Sequence, residues 1–126
     1  MKYFLSILIC SLLFTGCAAA PAPSYRQISM SEAVTMLEQE SNYILLDVRT
    51  EEEYRTGHIP GAICIPNETI HSDPIPRLPD KNQLILVYCR SGNRSKQASQ
   101  KLADLGYTNV VEFGGIQSWT GPVVTE

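Results

Sequence analysis

The chain has 126 residues, 44% of them hydrophobic and 18% charged, which suffices for one core and leaves no room for two domains. Ten Lys plus Arg against thirteen Asp plus Glu give a formal charge of −3, so nucleic acid is not an expected partner. Four cysteines, Cys10, Cys17, Cys64 and Cys89, are too few for a disulfide scaffold in a chain with this much apolar material.

Residues 1 to 20 stand apart from the rest. Lys2 supplies a positive start, residues 4 to 14 (FLSILICSLLF) form an uncharged, mostly apolar run of 11, and small residues follow. That is the pattern of a secretory signal peptide, and it falls short of the roughly 18 apolar residues a membrane span needs. The stretch "LLFTGCAAAPAPSY" resembles a bacterial lipoprotein signal: Thr15 and Gly16 fit its lipobox, with Phe14 where Leu is usual. The resemblance implies that Cys17 becomes the first mature residue and carries the lipid. Ordinary cleavage after Ala18 to Ala20 is the competing reading, but Pro21 would then follow the cut.

On the lipoprotein reading residues 1–16 are removed, 17–25 form an extended tether stiffened by Pro21 and Pro23, and 26–126 fold. The product is exported to the cell envelope and lipid-anchored there, on the periplasmic side in a Gram-negative cell. Cys10 leaves with the signal, so only Cys64 and Cys89 lie in the fold.

The mature chain opens with a short strand and a helix, for which Ser29 and Glu32 form a capping box. Val34 and Leu37, with Ala33, supply its apolar face. "YILLDV" (43–48) reads as a strand buried on both sides, and "TEEEYRTG" as a short helix stopped by Gly57, its acids Glu51 to Glu53 solvated and favoured by the helix dipole. "AICI" (62–65) is a brief strand. Residues 66 to 82 hold four prolines and read as loop, with one helical turn near Glu68 to His71. "LILVY" is the third strong strand, "SKQASQKLADLG" the clearest helix with Gly106 as its stop, "NVVEF" the last strand, and "GGIQSW" a turn and closing helix. Strands that are continuous apolar runs, alternating with helices, predict an α/β domain with a doubly wound, mostly parallel five-stranded sheet and helices on both faces.

In such a sheet ligands sit beyond the carboxyl ends of the strands, where Cys89 falls. Gly92 and Asn93 tolerate unusual backbone angles, so "RSGNR" can curl until several N–H groups converge in an anion nest. The following helix, expected to begin near Ser95, aims its positive end back at that point. Arg90, Arg94 and Lys96 add three cations. Such surroundings lower a thiol from about 8.5 to about 3.5–7.5, so a thiolate is expected at neutral pH. A lone Cys closing an apolar strand is otherwise packing; the cationic, turn-forming loop after it favours chemistry.

"LLDVRTEEEYRTGHIPGAICIP" followed by "LILVYCRSGNRSKQASQKLADLGYTNVVEFGGIQSW" resembles the single-domain rhodanese family over residues 27 to about 120. The resemblance implies that Cys89 is the nucleophile that carries sulfur as a persulfide, with Arg90, Ser91, Gly92, Asn93, Arg94 and Ser95 as the substrate cradle. An anionic donor such as thiosulfate would supply the sulfur, cyanide or a thiol would take it, and neither metal nor organic cofactor is implied. A non-catalytic rhodanese-like binding or persulfide-carrier module is the alternative of a different class. The related phosphatases and arsenate reductases use a longer Cys-x5-Arg loop, whereas Cys89 and Arg94 are spaced Cys-x4-Arg, with Ser95 where that motif wants Arg. A protein partner is not legible.

Asp47 and Arg49 in "LDVR" are read as scaffold, a buried acid paired with an arginine or bonded to loop amides. His58 also belongs to the scaffold, and Phe113 and Trp119 to the core or pocket wall. Cys64 stands where the family commonly has Asn. In the family's sheet order its strand is two places from that of Cys89, about 9–10 Å away and beyond the roughly 7 Å that a disulfide spans, so it is expected to be buried and unbridged.

Overall fold

The computed structural model describes Gly16 and residues 22–125. All of the expected signal peptide but Gly16, most of the tether and the Cys17 lipidation site lie outside these residues. Among those described, no helix is long and apolar enough to cross a membrane.

The chain runs β1 (Arg26–Gln27), α1 (Met30–Gln39), β2 (Tyr43–Asp47), α2 (Glu51–Thr56), β3 (Ile63–Cys64), a 3-10 turn (Asn67–Thr69), β4 (Leu84–Cys89), α3 (Asn93–Asp104), β5 (Val110–Gly115) and a 3-10 turn at Ile116–Ser118. The five strands form one sheet in the order β1-β5-β4-β2-β3, and every pairing is parallel. The expected α/β architecture is therefore present, with a sheet that is wholly parallel.

Period-two alternation divides the core into two layers. On β4, Ile85, Val87 and Cys89 point to one face, where they meet Ala98 and Leu102 of α3 together with Ile70 and Leu78 of the long loop. Leu86 and Tyr88 point to the other, against Ala33 of α1 and Ile59. β2 divides the same way, Leu46 toward the α3 side and Leu45 toward α1. The apolar runs of β2 and β4 are continuous because both faces are covered.

Local signals placed most helix ends. The Ser29 side chain accepts from the Glu32 N–H and caps α1, whose one fully buried residue is Ala33, flanked by Met30, Met36 and Leu37. Val34 is only half-buried, outside the face expected of it. Thr50 and Glu53 make a reciprocal capping box at the start of α2. The third helix begins at Asn93, not near Ser95, because Gly92 turns the chain at once with φ 113. Beyond the last 3-10 turn the chain returns to His58, whose N–H and C=O exchange hydrogen bonds of 2.9 Å with Val124.

Asp47 and Arg49 form the buried pair expected of them. Asp47, 0% exposed, accepts from the Arg49 backbone N–H at 2.9 Å and from Nε and Nη2 of the same residue at 3.0 and 2.7 Å. Arg49 then donates to the Gly57 carbonyl at 2.6 Å, which ties the end of β2 to the end of α2. Removing one member strands the other charge in the interior. Asp47→Ala should lower unfolding stability by about 3–5 kcal/mol in urea titrations, and Asp47→Ala/Arg49→Met should recover much of that loss.

Candidate active site around Cys89

Cys89 closes β4 on the face covered by α3 and is 1% exposed. The chain then reverses within Arg90–Gly92. The left-handed backbone at Gly92, costly for a residue with a Cβ, aims its N–H at Cys89 Sγ, 3.0 Å away. The leading N–H groups of α3 have no partners within the helix, and that of Ser95 reaches the same sulfur. Cys89 Sγ also lies 3.4 Å from the Ser95 hydroxyl.

These contacts decide the state of the thiol. Burial opposes ionisation, while the Ser95 hydroxyl when it points at sulfur, and the backbone N–H groups of Ser95, Gly92 and Ser91, favour the anion. The balance puts the Cys89 pKa below its ordinary value.

The cations do less than their spacing suggests. Arg94 makes a two-pronged pair with Glu53 of α2, Nη1–Oε1 2.7 Å and Nη2–Oε2 3.0 Å, and keeps only a weaker attraction to Cys89. Arg90 and Lys96 are exposed. The expected ring of charge is thus mostly a ring of peptide dipoles, because Arg94, in the first turn of α3, is held by Glu53 of α2. Glu53, expected to be solvated, is instead held by Arg94, which with Thr50 pulls its carboxyl down to about 2. Ser91 and Asn93 are exposed at the rim, Gly92 and Ser95 are buried inside it.

Several site residues were not legible. Gly114 and Gly115 read as a turn, yet Gly115 ends β5 directly beside Cys89. A Cβ on Gly115 would run into the Arg90 carbonyl and stand 2.6 Å from the Ser91 N, so the loop can lie on β5 only because that residue is bare. The doubled glycine after an apolar strand was the available signal. Glu112, on β5, is 3% exposed and accepts from the Ser95 hydroxyl at 2.7 Å and the Gly114 N–H at 2.8 Å. Its signal was a lone acid within "NVVEF".

Other expectations hold. Cys64 is buried and unbridged, its Sγ donates to the Arg49 carbonyl at 3.5 Å, and burial, then Asp47, pushes its thiol up to about 11. His58 stacks on Tyr54 with ring centres 3.7 Å apart. Phe113 is in the core, and Trp119 packs against it from the surface.

The Glu53–Arg94 pair makes a pH prediction. A carboxyl depressed by its partner contributes stability that is complete above its ordinary value of about 4.5 and is lost as pH falls through about 2. The stability difference between wild type and Glu53→Gln should therefore be constant near neutrality and close between those two pH values, as followed by urea unfolding.

Comparison with known proteins agrees with this geometry. The family profile described as Rhodanese-like domain matches residues 29–122. The chain is 39% identical over 79 residues to the Thiosulfate sulfurtransferase PspE of Escherichia coli (strain K12), covering 63% of this chain and 76% of that protein. It is 38% identical over 91 residues to the Adenylyltransferase and sulfurtransferase UBA4 of Meyerozyma guilliermondii, covering 66% of this chain and 21% of the relative, so it spans about a fifth of that protein's length. A solved structure described as rhodanese with anions from E. coli superposes with a TM-score of 0.61 at 37% identity, covering 67% of this chain and 99% of that one. With a parallel five-stranded sheet that delivers a cysteine into a curl of amide groups, and this match over most of its folded length, the chain belongs to the rhodanese-like domain family of sulfurtransferases.

Proposed function

We propose that the protein moves sulfane sulfur from a thiosulfate-like anion to a thiophilic acceptor through a persulfide on Cys89. The observation that carries the reading is the Gly92 N–H at 3.0 Å from Cys89 Sγ, within a cradle that favours negative charge at that point. The Cys89 thiolate attacks the outer sulfur of thiosulfate; the S–S bond of the donor breaks, its electron pair leaves on sulfite, and Cys89 becomes the persulfide anion. Cyanide then attacks the outer sulfur to give thiocyanate, or a thiolate acceptor attacks it to give a new persulfide, and the Cys89 thiolate returns. This is covalent catalysis in two half-reactions. The loop N–H groups serve in both, since each passes negative charge across the same place. With Arg94 engaged by Glu53, the donor's charge is held chiefly by the loop amides, with Arg90 at the rim. The Cys-x4-Arg spacing favours sulfur over phosphate or arsenate chemistry. A retained nucleophile with a lowered pKa argues against an inert binding module.

The lipoprotein pattern at Thr15, Gly16 and Cys17 supports tethering of this activity to the cell envelope through a lipid on Cys17.

Full-length protein incubated with thiosulfate should gain one sulfur atom in intact mass, and cyanide should remove it; Cys89→Ser should gain none, and Cys64→Ser should behave as wild type. Absence of any gain with thiosulfate or a persulfide donor would sink the proposal. Because the Cys89 pKa is lowered, the rate of sulfur uptake should hold its plateau at pH values below the ordinary thiol value of about 8.5, and drop only as pH falls through the depressed value. For the anchor, a fatty-acid probe fed to cells should label wild type and not Cys17→Ala; equal labelling of both, or of neither, rejects it.

A further inference from the structure

The Ser95 hydroxyl has one proton and four acceptors around it. Glu112 Oε1 lies at 2.7 Å, the Gly92 carbonyl at 2.9 Å, the Gly114 carbonyl at 3.3 Å and Cys89 Sγ at 3.4 Å. A hydroxyl donates once, so the sulfur receives that proton only if the other three do not. The shortest contact is to the carboxylate, and bonds to ionised acceptors are the shorter and stronger ones.

Glu112 has strong reason to keep it. Its side chain sits on the α3 face of β5, the face of Cys89, where the strand alternation otherwise supplies apolar residues. Among the described residues no cation pairs with it. Besides Ser95, its donors are the Gly114 N–H at 2.8 Å and the Gln27 amide at 3.4 Å. A buried carboxylate with three donors loses much of its solvation when one is withdrawn.

The groups nearest this cluster come from β1, β4, α3 and the loop. β4 brings Cys89 and β1 the neutral Gln27. From α3 come Lys96, which shares with Glu112 the lining of a cleft of about 390 Å³, and Arg94, which Glu53 of α2 engages. The loop brings Arg90, which is exposed.

We infer that Glu112 is a positioning residue for Cys89: by holding the Ser95 hydroxyl proton it makes Ser95 meet the sulfur as an acceptor, so that the thiolate forms on the loop amides alone. In the resting thiol, Cys89 S–H donates to Ser95 Oγ while Ser95 O–H donates to Glu112. On ionisation the Cys89 proton leaves to solvent, and the thiolate and Glu112 compete for the one proton left on Ser95. On the sulfur-transfer reading proposed above, withholding that proton leaves the thiolate more basic, which makes it a better nucleophile toward the donor and a slower leaving group toward the acceptor.

The test does not depend on sulfur transfer. Full-length protein is treated with iodoacetamide between about pH 4 and 10, and alkylation of Cys89 is timed by peptide mass spectrometry to give the midpoint of thiolate formation. Glu112→Gln should lower the midpoint by about one pH unit, a roughly ten-fold gain in alkylation rate below both midpoints. In a Ser95→Ala background the same substitution should leave it unmoved. Glu112→Asp, which keeps the charge but draws it back from Ser95, should also lower the midpoint and serves if Glu112→Gln fails to fold. An unchanged midpoint in the folded variants overturns the inference. So does an equal fall with and without the Ser95 hydroxyl, since that is simple charge removal.

Discussion

The site depends on one reversal of the chain. β4 must end at the edge of the sheet and α3 must begin close enough to pack back onto the same strand, and three residues, Arg90 to Gly92, make the connection. A left-handed residue at Gly92 satisfies that requirement. The same rotation that starts the helix swings the Gly92 N–H onto the Cys89 sulfur and leaves the first amides of α3 without helical partners. Backbone geometry and thiol chemistry are thus one constraint. A residue that could not turn there would lose both the helix start and the anion cradle.

That reversal needs a floor, which β5 supplies. Parallel pairing sets Gly115 beside Cys89, and the absence of a Cβ there admits the Arg90 carbonyl. The Gln117 N–H then donates to that carbonyl at 3.2 Å, so the loop is fastened to the strand it rests on. Cys64, two strands from β4, meets none of these groups, and its raised pKa reflects burial first and then the nearby Asp47 carboxylate. The contrast between the two cysteines lies in donors: both are buried, but Cys89 is met by N–H groups and Cys64 is not.

Charge in the interior is handled by pairing across elements. Asp47 and Arg49 join the ends of β2 and α2, and Glu53 and Arg94 join α2 to α3. Each pair consumes an arginine that the sequence places near the site, which is why the electrostatics of Cys89 come to rest on peptide dipoles. Glu112 is the exception, a buried acid met by neutral donors. Its environment connects it to Cys89 through a single side chain, Ser95.

The strands, the first helix start and Cys89 at a strand end were all legible in the sequence, because each follows from local periodicity or from a cap such as Ser29 that acts within three residues. The buried pairing of Asp47 with Arg49 was legible too, two positions apart at a strand end. The partners of Arg94, the contact of Gly115 with Arg90 and the approach of Glu112 to Ser95 were not. These join residues 17 to 41 positions apart, and no local pattern encodes which side chains a parallel sheet will bring to one edge. The sequence by itself determined a thiol set in a turn before a helix. Only the tertiary structure decided which groups would surround it, since strand order and register, not spacing along the chain, choose the neighbours.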